Sequence, residues 1–344
     1  MQAVILAAGK STRAYPLTLT KPKPLLKVAN KPLLEHNLGN LRELADEAII
    51  VVGYRKDLIK KHFGKRYKNL KIRYIEQERQ LGTGDALLKA EKLIKNDFVS
   101  LYGDDLYSKG DFDNVIKNKY SILAKKVQNP ESFGVIMQKK GILLNLIEKP
   151  QKFVSNLANA GLYKLDKKVF YYLKKLKKSE RGEYEITDAI RNLAGDENIS
   201  CVPSKQWLPI AYPWDLLKAD RELRKNKNIV GKNSKIYGKA ANSSIGDNCL
   251  IGGTVINSII MDGTVISRGS IVEDSVIGEN VYFNGKILAQ NSVFSAVNGK
   301  KIKITRLGAI IGDNVKAKHV IVKAGCKIWP NKRIKNKIII RDSV

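Results

Sequence analysis

Ile245-Gly246-Asp247-Asn248-Cys249-Leu250 runs directly into Ile251-Gly252-Gly253-Thr254-Val255-Ile256. The spacing continues at Ile260, Ile266 and Val272, then through Ile277-Gly278-Glu279-Asn280-Val281 to Phe283. After an interruption it resumes at Ile311-Gly312-Asp313-Asn314-Val315, Ala317, Val322 and Ile328. An aliphatic residue at every sixth position, often followed by glycine and Asp or Asn, predicts three short strands per turn of a parallel β-helix. The aliphatic side chains point into a narrow core, and Gly and Asn take the sharp corners. Leu288–Leu307 loses the spacing and is expected to leave the coil as an excursion. A coil has open ends and a flat flank, so a trimer about its axis is the expected way to cover them.

Upstream the rhythm is different. Candidate strands are Ala3–Leu6, Glu47–Val52, Ile72–Ile75, Phe98–Tyr102, Ser121–Lys125, Gly134–Gln138 and Gly161–Leu165. Helical stretches lie between them, among them Leu33–Leu44, Lys56–Phe63, Gly84–Leu93 and Phe112–Asn118. Short strands alternating with helices predict an α/β domain with a largely parallel sheet, whose function collects at the strands' C-terminal ends. A charged helical segment, Asp215–Lys227, bridges the two rhythms, so the expected domains are 1–227 and 228–344.

Composition narrows the classes. The net charge is +29, carried by lysine runs such as Lys174-Lys175-Leu176-Lys177-Lys178. The runs are spread along the chain without interleaved aromatics, which argues for a solvated basic surface rather than a specific nucleic-acid groove. No apolar run is long enough to cross a membrane. Cys201, Cys249 and Cys326 lack metal-ligand spacing and read as buried thiols of a reducing cytoplasm.

The first strand leads into Ala7-Ala8-Gly9-Lys10-Ser11-Thr12-Arg13, with Lys21-Pro22-Lys23-Pro24 beyond it. A tight small-residue turn followed by two cations suits a nucleoside triphosphate: main-chain N–H groups cradle phosphate, and Arg13 and Lys23 cover developing charge. The turn lacks both the dinucleotide and the Walker-type glycine patterns. Gln77-Glu78-Arg79-Gln80-Leu81-Gly82-Thr83-Gly84 joins a strand to a helix. Its glycines permit close backbone approach, and Gln77 offers the donor and acceptor needed at a base edge. Asp104, just past a central strand, is a hard oxygen ligand placed for Mg²⁺. Glu148-Lys149 and Asn159-Ala160-Gly161 sit at strand edges and suit a sugar phosphate, while Glu183–Asp188 begins a supporting helix.

Together these motifs resemble the sugar-1-phosphate nucleotidylyltransferases, especially two-domain forms with a left-handed β-helix of hexapeptide repeats. The resemblance covers nearly the whole chain and implies a Rossmann-like fold for the first domain. It implies that a nucleoside triphosphate and a sugar 1-phosphate are joined with release of pyrophosphate, using Mg²⁺ at Asp104. By the same comparison Arg13 and Lys23 bind the triphosphate and attacking phosphate. Ala8, Gly9, Gln77, Gly82 and Thr83 hold the nucleoside; Gly134, Glu148, Lys149 and Asn159 line the sugar-phosphate pocket. The form Gln-x-x-x-Leu-Gly-Thr-Gly is closer to N-acetylglucosamine-1-phosphate uridylyltransferases than to thymidylyltransferases, which implies UTP with N-acetylglucosamine 1-phosphate or glucose 1-phosphate. The alternatives are dTTP or GTP as donor, a second acetyl-CoA-dependent activity in the coil, or a weakly active regulatory or assembly subunit.

Three departures stand out. Trp207-Leu208-Pro209 has proline where the family places a second metal carboxylate, ahead of the retained Pro213-Trp214-Asp215-Leu216-Leu217. Ser11 replaces the commoner glycine before Thr12-Arg13. In the coil, His319 is the one histidine that could serve an acetyltransferase, in a segment unlike theirs, so a structural and oligomerising role is expected there.

Overall fold

The computed structural model describes residues 1–339, 341 and 342. The chain packs as two compact units, Met1–Lys10 with Leu34–Pro209, and Ser11–Leu33 with Ile210–Val344. Compactness thus divides the chain differently from the change of rhythm near residue 227.

The first unit is built on a ten-stranded sheet. Its main strands are β1 (Gln2–Ala7), β2 (Glu47–Val52), β3 (Leu70–Glu76), β4 (Phe98–Tyr102), β5 (Ser121–Lys126), β6 (Gly134–Lys139), β7 (Ile142–Glu148), β8 (Leu157–Leu165) and β9 (Ser200–Pro203). β3, β2, β1 and β4 are parallel neighbours in that order. β1 and β2 are buried along their whole length, which explains their unbroken apolar runs. β8 then enters antiparallel beside β4. From there the sheet curls on itself: β8 pairs with β5, β5 with β9, β9 with β7, β7 with β6, and β6 returns to β8. β7, β9 and the first residues of β8 lie outside the strands expected from sequence. Helices Lys56–Phe63, Thr83–Lys89 and Lys109–Val115 occupy three of the expected helical stretches, with shifted ends in the last two.

In the second unit, every ladder of the 229–339 region outside one hairpin is parallel. One runs Ile245–Ile260–Ile277–Ile311–Ile328 in register. A second runs Ile251–Ile266–Phe283–Ala317–Ile334, and a third Val255–Val272–Ile287–Val322–Ile339. These stacked rungs fit a parallel β-helix, and the inward aliphatic residues form one buried cluster. The corners carry left-handed backbone at Asn248, Asn280, Asn314 and Asn331, which asparagine tolerates better than other side chains. Asp247, Asp262 and Asp313 each receive a backbone N–H from the neighbouring turn, at 2.7, 3.0 and 2.7 Å.

The expected excursion is an antiparallel hairpin of Gln290–Val297 and Lys300–Leu307, turned at Asn298-Gly299 with both residues at positive φ. Near the chain's end, Lys316 and Lys318 stand in register with Arg333 and Lys335, so part of the basic charge is gathered on one exposed ladder.

Ser11–Leu33 packs with the coil through buried and half-buried charge. Lys21 pairs with Glu279 at 2.5 Å and Asp313 at 3.0 Å, Lys27 with Asp262 at 2.5 Å, and Asn30 donates to the Ile245 carbonyl at 2.6 Å. Asp220, on helix Asp215–Arg224, accepts from the Ala29 N–H and the Ser244 hydroxyl at 2.8 and 2.6 Å. No helix among the described residues is long and apolar enough to cross a membrane.

Candidate functional site

At the end of β1, Ala8 is buried and Gly9 exposed. The Gln80 amide donates to the Ala8 carbonyl at 3.1 Å, and the Tyr54 N–H does so at 3.0 Å. Gln77, buried at the end of β3, donates its side-chain N–H groups to the Gly82 carbonyl (3.0 Å) and Asp85 (2.8 Å). Those donors cross-brace the loop between the strand and the next helix. Gly82 holds φ 113 against the Tyr184 backbone, where a Cβ would lie 2.5 Å from the Tyr184 carbonyl oxygen. Only glycine fits there. Thr83 starts the next helix, and its hydroxyl accepts the Ile186 N–H at 3.0 Å.

Gly134, Glu148 and Asn159 meet although separated in sequence. A Cβ on Gly134 would lie 3.0 Å from a Glu148 carboxylate oxygen, 3.2 Å from the Thr187 methyl and 3.5 Å from the Asn159 Cβ. Register explains the meeting: Glu148 closes β7 opposite Gly134, and Val135 pairs with Ala158. Burial raises Glu148 from its ordinary value, while the charges of Lys149 and Arg181 pull it back. Glu185 is raised in the same way, by burial and by Glu148. Arg181 spans the two, 2.9 Å from Glu185 and 3.4 Å from Glu148. Asn159 spends its amide inside the protein, donating to the Tyr163 hydroxyl at 2.6 Å and accepting the Gly161 N–H at 2.9 Å. It thereby shapes the irregular stretch of β8 at Gly161, which faces the Tyr102 ring. Segment Arg181–Thr187 therefore touches both the Gly82–Thr83 loop and the Glu148 cluster.

Asp104 lies just past β4, after Gly103, whose N–H donates to the Leu6 carbonyl at 2.9 Å. The segment before Pro209 lies alongside: Leu106 and Leu208 exchange backbone hydrogen bonds at 3.1 and 2.9 Å, and the Trp207 indole donates to Asp105 at 3.0 Å. Among the described residues no group of three or more His, Cys, Asp or Glu could hold a metal ion.

Arg13 and Lys23 belong to the second compact unit and form a cluster there. The Lys23 ammonium donates to the Ile210 carbonyl. The Arg13 guanidinium lies 5.8 Å from the Tyr212 ring centre, and Tyr212 stacks on Trp214 at 5.0 Å. One Asp215 oxygen accepts the N–H groups of Ala211 and Tyr212 at 2.8 and 2.7 Å. Burial raises Asp215, and those hydrogen bonds with the charges of Lys23 and Arg13 oppose the rise. Glu185 and Thr187 fall in the segment Glu183–Asp188 that the sequence marked as supporting the site; Gln80, Arg181 and Tyr212 were not singled out, since their partners lie elsewhere in the chain and no spacing marks them.

A family model described as nucleotidyl transferase matches residues 2–226. The chain belongs to the sugar-1-phosphate nucleotidylyltransferases. A second family model, the GMPPB C-terminal domain, matches residues 223–344 of this nucleotidylyltransferase. It is 36% identical to the bifunctional protein GlmU of Methanococcus maripaludis strain C7, covering 100% of this chain and 95% of the relative. It is 33% identical to a bifunctional sugar-1-phosphate nucleotidylyltransferase/acetyltransferase of Sulfurisphaera tokodaii, over 97% of this chain and 96% of the relative. A UTP–glucose-1-phosphate uridylyltransferase of Haloferax volcanii, AglF, is 36% identical over 65% of this chain and 97% of its own length. Among solved structures, UDP-glucose pyrophosphorylase with UDP-glucose has the same fold, with TM-score 0.60 at 24% identity, covering 66% of this chain and 99% of that one. The nucleotidylyltransferase is thus an enzyme of nucleotide-sugar biosynthesis.

Proposed function

We propose that the donor is UTP and the acceptor N-acetylglucosamine 1-phosphate or glucose 1-phosphate, giving a UDP-sugar and pyrophosphate. One observation carries the reading. Arg181–Thr187 braces both the Gln77–Thr83 loop, proposed to hold the nucleoside with Ala8 and Gly9, and the cluster of Gly134, Glu148, Lys149 and Asn159, proposed for the sugar phosphate. A nucleoside and a sugar held by one strap are the two ends of the product. The uridylyltransferase name of the Haloferax relative supports UTP.

In the proposed reaction a phosphate oxygen of the sugar 1-phosphate attacks the α-phosphorus of UTP. A new P–O bond forms as the α–β bond breaks, and its electrons leave with pyrophosphate. No covalent enzyme intermediate is needed, so the protein's work is to align two anions and neutralise crowded phosphate. Arg13 and Lys23 supply fixed positive charge. Asp104 fits Mg²⁺, which keeps several waters and takes one or two carboxylates plus substrate phosphates, so Pro209 does not remove a required ligand. Bound there, Mg²⁺ would add charge neutralisation at the triphosphate.

We assign these roles to a nucleotidyltransferase domain of residues 1–227 and a left-handed β-helix of residues 228–344, with the meeting of the two family matches at 223–226 in support. The coil is proposed to be structural and trimer-forming. His319 is exposed at a corner of φ 54, its N–H donating to Asn284 at 3.1 Å. The test is pyrophosphate release with Mg²⁺ across UTP, dTTP, GTP, ATP and CTP against a panel of sugar 1-phosphates. Turnover led by UTP is expected; a lead by dTTP or GTP overturns the donor assignment. Acetyl-CoA with glucosamine 1-phosphate should give no free thiol.

A further inference from the structure

Strands β5, β9, β7, β6 and β8 close a five-membered ring, and a cavity of about 750 Å³ opens at the end where β5 and β9 finish. All five strands contribute to its wall. The volume is that of a small-molecule site, and barrel mouths are a usual place for one. Two features give the cavity a chemistry. Its lining includes Lys125 and Lys126 and no carboxylate. Its wall is otherwise largely apolar, and Leu144 and Met137 reach solvent at 59% and 40% exposure. The exposure of Leu144 is built in: the β6–β7 register shifts between Leu143 and Asn145, and such a bulge re-aims the side chain it carries. Phe153, the sequence neighbour of Val154 of the lining, is 79% exposed. Cys201 adds a neutral wall, since burial pushes its thiol up to about 11. The nucleotidylyl chemistry proposed above uses none of these residues.

We propose that this ring mouth is a binding site for a small amphiphilic anion, with an apolar body against Leu144, Met137 and Ile136 and an acidic or phosphate head at Lys125 and Lys126. A purely polar anion would leave the exposed apolar wall uncovered, and a neutral lipid would leave two cations without a partner.

The chain has three methionines, so methyl-labelled methionine gives Met137 its own signal, with buried Met261 as an internal control. Octyl phosphate is the probe; inorganic phosphate and octyl glucoside carry its two halves separately. Octyl phosphate should move the Met137 signal saturably, and each half should bind at least about tenfold more weakly. Leu144→Asp, a change at an exposed position, should weaken octyl phosphate by a similar factor and leave pyrophosphate release unchanged. Lys125→Gln with Lys126→Gln should weaken octyl phosphate and leave octyl glucoside as it was. A Met137 signal unmoved at millimolar probe, or moved equally by octyl glucoside, overturns the proposal. So does a Leu144→Asp protein that sediments as a smaller species than the wild type, which would make the patch a contact between copies of the chain. Because the readout is binding, its failure leaves the proposed reaction standing, and failure of the reaction leaves this site standing.

Discussion

The sheet of the first unit and the coil of the second distribute their information in opposite ways. In the sheet, the proposed ligand-binding residues stand where regularity breaks: at the end of β1, at φ 113 of Gly82, and beside the irregular stretch of β8 at Gly161. In the coil, equivalent positions repeat rung after rung, and Ile245, Ile260, Ile277, Ile311 and Ile328 do the same job. Irregular positions have no understudy, whereas periodic ones share a load. A substitution in one class should therefore remove function, and in the other remove stability.

The largest expected effect tests the irregular class at two positions outside both sheet and coil, in the short turns Thr12–Ala14 and Lys23–Leu25 of the second unit. Arg13→Ala and Lys23→Ala should each lower kcat/KM by ~10²–10³-fold, the usual loss for a preorganised charge-stabilising group. Arg13 is exposed, so its variant should melt near the wild type; full activity in both variants would remove the phosphate clamp. The periodic class is tested by Ile277→Ala, a fully buried rung residue between Ile260 and Ile311. Urea unfolding should show a loss of about 2–4 kcal/mol from the cavity and lost burial. Turnover per folded molecule should stay within twofold of wild type, or the coil does more for the chemistry than hold shape.

The contrast also explains what could be read from sequence. The coil was legible because a period of six states the core directly, and the strands Glu47–Val52 and Phe98–Tyr102 were legible as bounded apolar runs. β7 was not, because the shift after Leu143 breaks the two-residue alternation that marks a strand. β9 is four residues long and ends in proline. Of the candidate site, Glu148 and Asn159 could be read as suited to a sugar phosphate, but Gly134 joined them only through family resemblance, since pairings far apart in the chain bring the three together. Arg181 carried no local signal at all. Nor did the packing of Ser11–Leu33 with the coil, which rests on ion pairs such as Lys21–Glu279.

A middle-sized effect sharpens the comparison inside the sheet. Glu148→Gln should raise the KM for the sugar phosphate about tenfold, the scale of one hydrogen-bonded charge lost from a binding site. Its stability effect runs the other way. The folded value of Glu148 is raised by burial, so its contribution is present below the unfolded value and lost as pH climbs through the folded one. Glutamine does not titrate. The variant should therefore melt at or above the wild type at pH 8, with the gap closing toward pH 4; a variant less stable at pH 8 would mean that Arg181 and Lys149 outweigh burial.

The smallest effect concerns Ser11, which stands at φ 52 and ψ 50 in the left-handed region. The Thr18 hydroxyl donates to its carbonyl at 2.9 Å and helps hold it there. Left-handed backbone costs a side-chain-bearing residue ~1–2 kcal/mol, and glycine escapes that strain. Glycine also loses more freedom on folding, by ~0.5–1 kcal/mol, so the two contributions largely cancel. Ser11→Gly should thus change stability by less than about 1 kcal/mol and turnover by less than threefold, since either residue presents the same loop. Ser11→Val keeps the entropy and loses the fit, because a β-branched side chain at positive φ is strained. It should destabilise measurably where glycine does not. Equal melting of the two variants would show that the left-handed turn is not required, and that the serine is there for its hydroxyl.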